Sequence, residues 1–219
     1  MGELRLTAIG VGELKALFSG SPEIEEHLRT VAAQAFPPPQ APVKKGRLLG
    51  KVGPLVQPPP DAPVIRPGVP TNQDLHDLTR GRFVKADRLT AAWALVRLWL
   101  DACGWPTLVL AIDEPAMNEL DFELATGGVE TRYALRRLLN DKLALPLRNA
   151  PGQVTGFVPY EHAVALRETW RPAVPTLSPR NVATAQHIVG WLGGLEGWAA
   201  YARQVGHPLP DLIASFTQG

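Results

Sequence analysis

A chain of 219 residues, 45% of them hydrophobic, can bury a sizeable core without covalent staples, and its single cysteine, Cys103, excludes an intrachain disulfide framework. The formal net charge of +1 favours no class of partner, yet it is unevenly spread: positions 37–70 hold five cations (Lys44, Lys45, Arg47, Lys51, Arg66) against Asp61, a net of +4, which leaves −3 for the remainder. The opening residues MGELRLTAIG lack the apolar run of a secretory signal, and the longest apolar stretch, near Ala91–Leu100, carries Arg97 and stops at Asp101, so the expectation is a soluble, cytoplasmic protein without membrane contact.

In chain order, Glu3–Ile9 alternates Leu4, Leu6 and Ala8 against Glu3, Arg5 and Thr7, the period of a strand. A short helix is expected over Glu13–Phe18. Ser21-Pro22-Glu23 then combines a hydroxyl N-cap, a first-turn proline and an acid, predicting a helix to about Phe36 with Ile24, Leu28, Val31 and Ala35 on one face. Positions 37–70 hold 11 of the 22 prolines, which excludes regular helix or central strand and predicts a long extended connection of polyproline II character. Thr71 and Asp74 form a loose capping box for a helix to about Thr79, with Gly81 suited to its C-terminal cap.

Ala86–Cys103 carries the strongest helical periodicity, with Leu89, Ala92, Trp93, Val96, Leu100 and Cys103 on one face and further apolar residues around most of the remainder, the pattern of a central helix. Thr107–Ile112 is expected to be a buried strand, Glu114 to about Ala125 a helix closed by Gly127-Gly128, Glu130–Asn140 a helix, Val154–Val158 a strand and Tyr160–Trp170 a helix. From Ser178-Pro179 a last helix carries Gly190, Gly193, Gly194 and Gly197, while Ile188, Trp191, Leu195, Trp198 and Ala202 keep helical phase across them. The expectation is a continuous or merely kinked helix whose bare stripe lets a neighbour pack close, followed by an edge strand over Leu212–Phe216. The fold class is thus helix-rich α+β: several helices around a small sheet of short strands, in one globular domain interrupted at about 37–70.

Signatures of chemistry are sparse. The phosphate-cradling G-x-x-x-x-G-K-[ST], the dinucleotide G-x-G-x-x-G and the G-x-S-x-G elbow are all missing, and the five histidines are scattered without metal-ligand spacing. No catalytic residue, metal or cofactor is therefore assigned. Cys103 ends an apolar helix face and is expected to be a buried small hydrophobe. The acids Asp113, Glu114, Glu119, Asp121 and Glu123 suit a helix N-terminus and a solvated face, with Arg132, Arg136 and Arg137 near enough to pair with them. Lys44, Lys45 and Arg47, together with Trp105 and Trp170 (each followed by a breaker or by Arg-Pro), are the candidate partner-binding residues. With no aromatic residue among the basic residues to stack on bases, nucleic acid is the weaker partner class.

Three stretches, ADRLTAAWALVRLWLDACGW (Ala86–Trp105), LDFELATGGV (Leu120–Val129) and FVPYEHAVALRETW (Phe157–Trp170), resemble uncharacterised actinobacterial proteins grouped as a domain of unknown function. The resemblance covers about the central third of the chain and implies a bacterial, cytoplasmic origin; it transfers no catalytic residue. The functional expectation is a non-enzymatic interaction protein, such as an adaptor, an immunity-type inhibitor or an accessory protein. An enzyme with a site assembled from distant residues (the Asp113–Glu123 acids, or Glu161 with His162) and a nucleic-acid binder are the alternatives.

Overall fold

The computed structural model describes residues 2–36, 66, 68–140 and 143–218, so Lys44, Lys45 and Arg47 and most of the proline-rich connection lie outside the described residues. The alternating residues Glu3–Ile9 form strand β1, with Leu4, Leu6 and Ala8 fully buried on one face. Strands β2 (Leu108–Ala111), β3 (Gln153–Val158) and β4 (Asp211–Thr217) complete a four-stranded antiparallel sheet in the order β2-β1-β4-β3.

Two strands sit differently from their sequence expectation. β4 is interior, paired with β1 along one side and β3 along the other. Its run Leu212-Ile213-Ala214 is buried on both faces, and a strand covered on both faces loses the alternation that marks a half-solvated one. β2, expected to be buried, is an edge strand; inward residues alternate with exposed ones, and Val109 keeps 45% of its surface.

Helices cover the sheet in two groups. On the face of Leu4, Leu6, Leu212, Ala214 and Phe216 lie α5 (Glu114–Thr126), α6 (Tyr160–Ala173), α7 (Pro179–Leu192) and Leu195 of α8 (Leu195–Val205). The opposite face, through Ile9 and Ile213, meets α1 (Val11–Ala16), α2 (Pro22–Val31), α3 (Asn72–Thr79) and α4 (Leu89–Cys103). The architecture is helix-rich α+β, as the periodicities imply. α4 is the central helix expected, preceded by a 3₁₀ turn at Ala86–Arg88; eight of its residues are buried, and the Trp93 indole N–H donates to the Arg148 carbonyl at 2.8 Å.

Local signals set the helix starts. The Ser21 hydroxyl accepts the Ile24 amide, and Thr71 and Asp74 complete a full capping box. At Gly81 the backbone enters the left-handed region (φ 59°), which ends α3.

Glu130–Asn140 is not an α-helix but two 3₁₀ turns, Thr131–Tyr133 and Leu135–Leu139, separated by the extended Ala134. The cause lies in α5: the Asp121 carboxylate accepts the Leu135 and Arg136 amides, capping the second turn from another element. The tight turn then buries Leu135 and Leu138, three residues apart, together with the adjacent Leu139.

The last helix is divided at Gly193-Gly194 into α7 and α8, although both glycines keep right-handed helical dihedrals and the chain bends rather than reverses. The glycines do not form a seat for a neighbour. A Cβ at Gly190 or Gly197 would meet nothing within 4 Å, whereas one at Gly194 would lie 2.4 Å from the Trp198 ring. Gly194 is therefore the residue that lets Trp198 fold back over its own helix start.

Candidate interaction surface

Four aromatic side chains converge where α4 ends and α7 meets α8. Gly104 makes the entry possible: a Cβ there would crowd the Leu100 carbonyl (2.6 Å) and the Thr7 methyl (2.9 Å). The next amide, that of Trp105, donates to the Ala8 carbonyl at 2.9 Å and fixes the ring beside the end of β1. The Pro106 carbonyl in turn accepts the Trp191 indole N–H at 2.7 Å, tying this loop to α7.

Helical spacing supplies the rest. Trp198 and Tyr201 stand three residues apart on α8 and so project from one side. The Trp105 and Trp198 rings are nearly parallel (12°, centroids 6.1 Å apart), Tyr201 meets Trp105 edge-on (87°, 5.8 Å), and Trp191 meets Trp198 at 62° and 5.4 Å. The three indoles are half-buried, Tyr201 is 55% exposed, and Val205, one turn further along α8, is also exposed. Among the described residues neither the Trp105 nor the Trp198 indole N–H donates a hydrogen bond. The result is a ledge with broad apolar faces and two indole N–H groups that have no partner among the described residues.

Of the five partner-binding candidates, Trp105 lies in this ledge. Trp170 does not reach the surface: it is fully buried, and its indole N–H donates to the Tyr133 carbonyl at 2.8 Å. Its place on α6, one residue before Arg171-Pro172, suggested an outward position; the 3₁₀ turns of 131–139 cover it instead. Trp191, Trp198 and Tyr201 were missed, because helical phase assigns the two tryptophans to a core face, whereas the fold leaves both half-buried. The available signal was the i, i+3 pair Trp198 and Tyr201 beside glycines.

The acids from Asp113 to Glu123 serve structure. Asp113 caps α5 through the Ala116 amide (2.9 Å), Glu114 pairs with Arg136 (3.0 Å) and Glu119 with Arg180 (3.2 Å). Glu123 accepts the Ser178 amide at 2.8 Å and so caps α7 from α5; that backbone hydrogen bond, with the Ser178 and Asn181 side chains beside it, holds its carboxyl below the usual range. For Asp121 burial dominates over the two amide bonds and pushes the carboxyl up. His162 packs its ring 5.0 Å from that of Tyr133, while Glu161 is exposed; the two do not converge.

Cys103 is exposed, contrary to its expected burial, because it occupies the last turn of α4, where the helix leaves the core. Its sulfur lies 3.7 Å from His27 Nε2, and partial desolvation together with the Glu13 carboxylate pushes the thiol up.

Among the described residues no three His, Cys, Asp or Glu side chains are grouped to hold a metal ion, and no helix is long and apolar enough to cross a membrane. Comparison of the chain with protein-family models, with curated proteins and with solved structures finds no match.

Proposed function

We propose that this chain is a non-enzymatic interaction protein whose binding face is the ledge of Trp105, Trp191, Trp198 and Tyr201, and that the ledge takes an extended, proline-containing segment of a partner protein. The observation that carries the reading is the near-parallel Trp105–Trp198 pair, with Tyr201 standing edge-on and exposed beside it. Aromatic-lined grooves accept polyproline II segments because proline rings pack on the aromatic faces at small entropic cost. Such a segment has no internal hydrogen bonds, so its carbonyls are open to an indole N–H, and Trp105 and Trp198 present two. Large exposed aromatics are also the side chains that dominate binding energy at protein interfaces.

The test is a tryptophan-fluorescence titration of the full chain with a short polyproline peptide, against a Gly-Ser peptide of equal length. A saturable change with polyproline alone, weakened roughly tenfold or more by Tyr201→Ala, supports the reading. No saturable change at millimolar peptide, or an equal response in Tyr201→Ala, overturns it.

A further inference from the structure

A second concave surface lies away from the ledge. The C-terminal half of α5 and the 3₁₀ turns of 131–139 border an open cleft of about 440 Å³. That size falls within the range of small-molecule sites, roughly 300–1,000 Å³. Its inner wall is apolar, built by the buried Leu124 and Val129. At its mouth stands Phe122, 74% exposed, a large aromatic ring that nothing among the described residues covers.

Charges along the cleft are not equivalent. Asp121 spends both carboxylate oxygens on the Leu135 and Arg136 amides, and Glu130 is held by Arg132 at 3.0 Å. The Arg136 guanidinium is bound by Asn118 and Glu114. Arg137 also lines the cleft, and it stands outside the ion pairs formed among the described residues, in which Arg136 pairs with Glu114 and Arg132 with Glu130. Among the described residues the cleft therefore presents the Arg137 guanidinium without an ion-pair partner, beside an exposed aromatic ring and an apolar wall. A guanidinium binds a carboxylate through two parallel hydrogen bonds, and an aromatic ring and aliphatic wall desolvate an apolar body.

We propose that this cleft binds a small amphipathic carboxylate, with the carboxylate on Arg137 and the apolar body between Phe122 and the Leu124–Val129 wall. Neither side chain belongs to the core, so both can be changed without loss of the fold, which circular dichroism checks.

The experiment is an NMR titration of the full chain with 3-phenylpropionate, run beside 3-phenylpropan-1-ol and 3-phenylpropylamine. The expected result is saturable binding of the acid, with shifts at the Val129 and Ala134 amides. Arg137→Gln should weaken it by roughly tenfold, the value of one charge-assisted hydrogen bond, and Phe122→Ala by several-fold. The proposal is overturned if the acid does not bind, binds no tighter than the alcohol or the amine, shifts amides elsewhere, or binds Arg137→Gln unchanged.

Discussion

The Asp74 carboxylate accepts the Thr71 amide at 2.8 Å, closing the capping box of α3, and at the same time receives the Arg88 guanidinium from the turn before α4. Arg88 also donates to the Val69 carbonyl at 2.8 Å, so one nearly buried ion pair fastens three segments. Burial alone would raise the Asp74 carboxyl; hydrogen bonds from Arg88 and Thr71 outweigh it and hold the group below its ordinary value.

Breaking that pair from one side leaves Arg88 without its counter-charge. Asp74→Asn is expected to cost about 3–5 kcal/mol at neutral pH, read from urea unfolding. Because the folded carboxyl is depressed, its contribution is present above the unfolded value of about 4 and is lost as pH falls through the folded value. The stability of Asp74→Asn should therefore fall less on acidification than that of the parent chain. Asp121, pushed up by burial, works in the opposite direction: its contribution is present below the unfolded value and lost as pH rises through the folded one.

The glycines of the last two helices should separate cleanly. Gly190 and Gly197 face open space inside helices, so alanine at either position should stabilise by about 0.5–1 kcal/mol. Gly194→Ala drives a methyl into the Trp198 ring and should destabilise by about 1–3 kcal/mol while shifting tryptophan emission. Thermal unfolding of the three variants checks the signs; stabilisation by Gly194→Ala would contradict the account of the aromatic ledge.

Two aromatic truncations distinguish core from surface. Trp170→Ala removes a fully buried ring and a hydrogen bond to Tyr133, and is expected to cost about 3–5 kcal/mol. Tyr201→Ala should change stability by no more than about 0.5 kcal/mol, since its ring is more than half exposed. Urea unfolding of both proteins makes the comparison.

Cys103 should react with a thiol-specific disulfide reagent in the native protein, because its side chain is exposed. Reaction at neutral pH should be slower than that of a free thiol, since desolvation and Glu13 disfavour the thiolate. Glu13→Gln should speed it, with the rate read from release of the chromophore.

What could be read from the residues alone was local. The helix starts at Ser21-Pro22, Thr71–Asp74 and Asp113–Pro115 depend on side chains within one turn of the amides they cap, and the alternation of β1 depends on near neighbours. Helix-rich α+β followed from those signals. Where each element sits depended on distant chain. β4 is interior because β1 and β3 flank it, and 130–140 turns as 3₁₀ because Asp121 caps it from α5. Trp170 is buried and Tyr201 exposed for the same kind of reason, as is Cys103 at the end of α4. Hydrogen bonds within a turn are encoded at short range, whereas burial is the removal of water by whatever packs from elsewhere. The aromatic ledge and the Arg137 cleft are surfaces of that second kind, so only the tertiary structure could disclose them.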